Sequence, residues 1–183
     1  DSHRPDQLRW GGDLEGHLMS ELRDMDLADI VGPYEAHDLR FHDGTTRRVY
    51  VTDIETPYPD GKLIVSRTDP AGVITMVNQS FVEMSGYSEE ELMGAPHHIL
   101  RHPFMPGPAF KDLWDTIEAG KKWHGYVKNL RKDGGYYWVY ATVIANVRNG
   151  EIVGYTSVRR KPSRDKVNAC IDLYPTLHGE AVS

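Results

Sequence analysis

Hydrophobic positions change their period several times along this chain, and the changes mark its organisation. Leu14, Leu18, Leu22 and Met25 recur at intervals of four, four and three, an amphipathic-helix stripe that Asp13 can cap and that Gly32-Pro33 would end. From Asp38 to Asp53, Val49 and Val51 alternate with polar neighbours beyond an Asp43-Gly44 turn, which predicts strand, turn, strand. Pro57, Pro59 and Asp60-Gly61 then interrupt the pattern. These breaks divide the chain into an N-terminal extension (1–55), one domain (56–161) and a C-terminal connector (162–183).

Inside the domain the pattern becomes regular. Leu63 to Thr68 and Val73 to Val77 are β-rich runs joined by Asp69-Pro70-Ala71-Gly72, the composition of a tight turn. Asn78 can cap a short helix ending at Gly86, and Ser88 with Glu91 has the spacing of a capping box opening a second helix that stops at Gly94. Pro96 to Pro108 holds three His and four Pro, counting both ends, and cannot be one regular element. A longer helix follows, with Pro108 in its first turn, Phe110, Leu113, Trp114 and Ile117 on one face, and Gly120 past its end. Trp123 to Arg131, Tyr136 to Asn146 and Glu151 to Arg159 read as strands linked through Asp133-Gly134 and Asn149-Gly150. The order predicts an α+β fold: a five-stranded antiparallel sheet with short helices on one face, preceded by the N-terminal amphipathic helix. Val167, Ile171, Leu173 and Tyr174 predict a final helix interrupted at Pro175.

Composition narrows the function. With 39% hydrophobic and 26% charged residues and a mean hydropathy of -0.53, the chain has a globular rather than a disordered balance. A net charge of -6 excludes binding to nucleic acid or anionic lipid by bulk electrostatics, and the cluster Lys121, Lys122, Lys128, Arg131 and Lys132 reads as a solvated face beside a turn. Cys170 is the only cysteine, so neither an internal disulfide, a cysteine zinc site nor covalently attached haem is available. No apolar run approaches the roughly 18 residues of a membrane span. The expected location is the cytoplasm, with room for a membrane anchor beyond either end of a chain that does not start with Met.

The motifs go further than the element order. Asp60-Gly61, Gly72-Val73-Ile74-Thr75, Asn78-Gln79-Ser80-Phe81, Ser85-Gly86-Tyr87-Ser88 and Glu91-Leu92-Met93-Gly94 resemble PAS domains in general. Pro96-His97-His98-Ile99-Leu100-Arg101-His102-Pro103, Met105-Pro106, Trp123-His124-Gly125, Val127-Lys128-Asn129, Tyr137-Trp138-Val139 and Gly154-Tyr155-Thr156-Ser157-Val158-Arg159 resemble the sensory domain of bacterial aerotaxis (energy-taxis) receptors. That resemblance implies non-covalent FAD, a redox or oxygen (energy) signal passed to a methyl-accepting chemotaxis-type output domain, and Asn78, Arg101, His102, Trp114, Trp123 and Asn129 as the flavin site. Phe104 departs from it, because those receptors commonly carry Asp two residues after the His of Arg-His-Pro. Residues 1–55 have no counterpart in it.

Each candidate also has a purely structural reading. A flavin needs an apolar slot, donors for its ring edge and groups for its pyrophosphate. Arg101 and Lys128 suit the phosphates, and Asn78 and Asn129 suit the ring edge, although an Asn at either place can equally serve as a cap or strand-end group. Trp114 and Trp123 are core residues or walls for an aromatic ligand. His97, His98 and His102 do not have the helical spacing of a metal pair, and His102 is the axial candidate should the ligand be haem. Cys170 lies beyond the sheet, which argues against blue-light adduct chemistry, and the glycines form no dinucleotide or Walker pattern. Nothing assembles a catalytic constellation, so the expected protein is not an enzyme. It is a binding module whose N-terminal stripe packs on its own domain or forms a homodimer seam; the alternatives are a haem gas sensor and a cofactor-free dimerisation module.

Overall fold

The computed structural model describes residues 22–177, and within them places seven strands and four α-helices. Strand β3 (Ile64–Thr68) pairs antiparallel with β4 (Ile74–Val77) across the expected turn, where the Asp69 carboxylate accepts from the Ala71 and Val73 amides. Strands β5 (Trp123–Leu130), β6 (Tyr136–Arg148) and β7 (Glu151–Arg160) form a meander, and β7 returns to β3, so the sheet order is β4-β3-β7-β6-β5.

Helices α1 (Gln79–Ser85), α2 (Glu89–Leu92) and α3 (Gly107–Glu118) lie over one face of this sheet, with a 3-10 turn at His97–Leu100 between them. Their ends follow the sequence. Asn78 caps α1 through the Phe81 amide, Gly86 closes it with φ 78°, and Ser88 and Glu91 complete the capping box of α2. The core between helices and sheet contains Ile64, Ile74, Phe81, Leu92, Leu100, Ile117, Tyr137 and Val139.

A fourth helix, α4 (Arg164–Leu177), seats Val167 and Cys170 against Trp138 on the other face of the sheet, and Tyr174 Oη donates to the Tyr126 carbonyl at 2.6 Å. Unlike the expected interruption, the helix runs through Pro175. The missing N–H of Pro175 removes one intrahelical hydrogen bond, and the packing of Val167, Cys170 and Tyr174 on the sheet holds the preceding turns.

Before the sheet, β1 (Glu35–Arg40) and β2 (Thr46–Val51) form the expected hairpin. The predicted helix from Asp13 falls largely outside the described residues, and its portion from Leu22 onward is not α-helical. There the main chain is drawn out alongside β2: Met25 N donates to Arg48 O at 2.9 Å, and the Asp24 carboxylate accepts from Arg48 N. Asp26 then caps a 3-10 turn at Leu27–Asp29. Met25, Val49, Val51 and Leu130 share a small second core, which ties this segment to the end of β5.

Candidate functional site

Alternation along β5 decides which candidates share a face of the sheet. Trp123, Val127 and Asn129 point to the helix-covered face, and Lys128, between two of them, points to the other. Asn129 is buried and stands directly opposite Tyr137 on β6. Its amide approaches the phenol, yet Tyr137 Oη closes no hydrogen bond of good geometry. Burial pushes that phenol up to about 12, against the opposing influence of Arg159, Arg131 and the Asn129 amide.

The same inward parity on β7 carries Tyr155, Ser157 and Arg159. Arg159 is 2% exposed. Its Nη1 donates to Ser157 Oγ and its Nη2 to Ser66 Oγ, both at 2.8 Å, and the guanidinium lies 4.8 Å from the Phe81 ring centroid. His97 Nε2 stands 3.4 Å from Nη1. Because a guanidinium only donates, that nitrogen presents its lone pair, and His97 is neutral; burial and then the Arg159 charge depress its basicity. Arg159 has no carboxylate among its described hydrogen-bond partners, its Nε has none at all, and burial lowers its pKa to about 10. It therefore remains a cation inside the core.

Arg101 is held beside this interior by a bridge to Asn129. Its guanidinium lies 4.1 Å from the Phe110 centroid, Nη2 reaches Met105 O at 3.5 Å, and Nε is buried without a partner. Desolvation lowers its pKa to about 10. Trp123 Nε1 donates to Asp112 of α3 at 2.9 Å, and its indole lies over Gly125, where an added Cβ would stand 2.2 Å from the ring. Trp114 meets Tyr155 edge to face at 5.7 Å and packs against Gly72. Trp114, Trp123 and Asn129 thus lie on the helix-covered side of the sheet, Asn129 near one end of β5 beside Arg101 and Trp123 at the other end against α3.

Asn78 and His102 are placed elsewhere. Asn78 spends its amide on structure, accepting from Val65 and Phe81 and donating to Leu63 O. His102 is 1% exposed and faces Phe104 and Tyr136, residues on the side of Lys128. Its Nδ1 accepts from the Phe104 amide at 3.0 Å, and burial, followed by the charge of Lys128, lowers its pKa to about 2. Lys128 Nζ sits 4.1 Å from the Tyr136 centroid, so the cation assigned to a phosphate lies across the sheet from Asn129. Tyr137, Arg159 and Ser66 were not among the sequence candidates. Their one visible signal is strand parity, of Tyr137 with Val139, Arg159 with Tyr155 and Ser66 with Ile64.

Residues 74–159 match the family model described as the PAS fold, and the chain belongs to that family. The aerotaxis receptor of Escherichia coli K12 is 43% identical over 134 residues, 73% of this chain and 26% of the receptor. This PAS domain is of the aerotaxis-receptor type, and the chain spans about a quarter of that relative's length. Among solved structures, the light state of the blue-light photoreceptor Aureochrome1 LOV aligns with a TM-score of 0.55 at 25% identity, over 60% of this chain and 88% of that one. A light-oxygen-voltage domain studied with a flavin analogue aligns at 0.53 and 25%, over 62% and 86%. No helix among the described residues is long and apolar enough to cross a membrane, and none of their His, Cys, Asp and Glu side chains group in threes to hold a metal.

Proposed function

We propose that the space between the sheet and α1–α3 holds a flavin, FAD, and that the domain is a redox sensor rather than a catalyst. The observation that carries this reading is a set of buried donors without partners: Arg101 Nε, Tyr137 Oη and Arg159 Nε. Such groups are rare in native interiors, and each unsatisfied donor costs on the order of 1–3 kcal/mol. All three can donate, two belong to cations, and the guanidinium of Arg101 faces the Phe110 ring as that of Arg159 faces Phe81. A flat heterocycle edged with carbonyl oxygens and ring nitrogens fits that donor set.

Arg159, Tyr137 and Asn129 would meet the ring edge, Trp114 and Trp123 its faces, and Arg101 an acidic group. The bound flavin supplies reversible electron uptake with a change of charge at its edge. The chain's own residues read that change. A shift in the bonds of Arg159 acts on β7, whose next residues lead into α4, and α4 carries the signal to a chemotaxis-type output domain of a longer, cytoplasmic-facing receptor. The similarity to a light-oxygen-voltage domain studied with a flavin analogue and to the aerotaxis receptor supports this reading.

Haem fits less well. The axial candidate His102 is turned toward Tyr136 and Phe104, and with Nδ1 accepting from a backbone amide, Nε2 carries the ring proton.

The test is a titration of chromophore-stripped full chain with FAD, followed by flavin fluorescence. Arg159→Met and Asn129→Ala should each weaken binding at least about tenfold, the scale of one lost charge-assisted or buried hydrogen bond. Unchanged affinity in both variants would overturn the assignment.

A further inference from the structure

The N-terminal hairpin grips the segment that carries Arg101 and His102. Arg47 of β2 is 4% exposed, and its three nitrogens serve three different parts of the chain: Nε donates to Arg23 O at 2.8 Å, Nη1 to Ile99 O at 3.0 Å and Nη2 to Tyr87 Oη at 3.2 Å. Phe41, at the hairpin turn, stacks on His98 with ring centroids 3.8 Å apart and planes 10° from parallel. His37 of β1 meets Phe104 edge to face at 5.4 Å. The contacts thus fall on residues 98, 99 and 104, which bracket the pair at 101 and 102.

We propose that this hairpin is a ligand-linked clamp, with Arg47 as the positioning residue that fixes the Ile99-to-His102 turn against the flavin site. The linkage rests on the flavin reading above; the positioning does not. Because Arg101 bridges to Asn129 only while that turn is held, docking of the hairpin and occupancy of the site stabilise each other reciprocally. Phe104 gains a role in the same arrangement. Where the resembling receptors carry an acid, this chain carries an aromatic face that receives His37. The N-terminal hairpin becomes part of the sensor, and displacing it becomes a second route to the signalling state.

Hydrogen exchange on the full chain tests both parts. Without ligand, Arg47→Met should speed exchange at the Ile99, Arg101 and Met105 amides by about tenfold or more, while β3 and β7 amides stay protected. Unchanged exchange at those three amides would overturn the positioning role. Adding FAD to stripped wild-type protein should increase protection across residues 35–51 and in β5–β7. FAD protection confined to β5–β7 would overturn the linkage. An absence of FAD binding would overturn the flavin reading and the linkage together, with the ligand-free comparison still deciding the clamp. Should Arg47→Met fail to fold, Phe104→Ala, at a half-exposed site, serves instead: it should raise exchange at Met105 and across residues 35–40, and no rise there would count against the clamp.

Discussion

Arg47 and Arg159 are both buried cations without a carboxylate among their described hydrogen-bond partners, and the fold treats them differently. Each nitrogen of Arg47 finds an acceptor, two of them main-chain carbonyls that would otherwise be unpaired. Arg159 is shared between two serine hydroxyls and a neutral histidine, and its Nε is left over beside an equally unpaired phenol. A satisfied buried cation holds elements together. On the function proposed above, an unsatisfied one is held ready for a ligand, so satisfaction of donors, rather than burial, would separate the staple from the binding group.

Acid challenges both regions at once. His102 has a folded-state pKa of about 2, below the ordinary value near 6.5, so its contribution is complete above about pH 6.5 and is lost as pH falls through that range toward 2. His97, facing Arg159, and His98, facing Arg47, Arg101 and Asp43, are lowered in the same direction. Together the three should remove on the order of 4 kcal/mol between pH 7 and 5, read by chemical denaturation. A flat profile would show that these rings are not buried neutral.

The arginines themselves sharpen the contrast. Arg47→Met leaves two carbonyls and a phenol without a donor and should cost about 3 kcal/mol. Arg159→Met removes a cation whose desolvation is poorly compensated, so the ligand-free protein should keep its stability within about 1 kcal/mol, or gain, while losing FAD. Equal destabilisation by the two substitutions would erase the distinction. As a baseline, Lys111→Ala breaks an exposed, solvent-screened helix pair with Asp115 and should leave the thermal unfolding midpoint essentially unchanged.

Much of the architecture was legible because local signals agreed with the global order. The Asp69 turn, the Asn78 cap, the Ser88 capping box and the Asn149-Gly150 hairpin each act within a few residues, and the structure uses them as spaced. The site was harder to read. Strand parity already forbids Lys128 and Asn129 from lining one cavity, but it does not say which face the helices cover. Arg159 and Arg160 are adjacent in sequence, and only the tertiary arrangement turns the first inward. Arg47 looks like a surface residue of a polar hairpin until Arg23, Tyr87 and Ile99, distant in sequence, surround it. The stripe of Leu22 and Met25 has helical spacing, yet the edge of β2 competes for the same main-chain groups and takes them.

The absorption spectrum of the freshly purified chain, with heat release and identification of any chromophore, tests the central claim most directly. The account predicts the two-banded near-ultraviolet and blue absorption of an oxidised flavin and FAD in the supernatant. Protein that is colourless and stays so after incubation with FAD, or that shows the Soret band of haem, would contradict it.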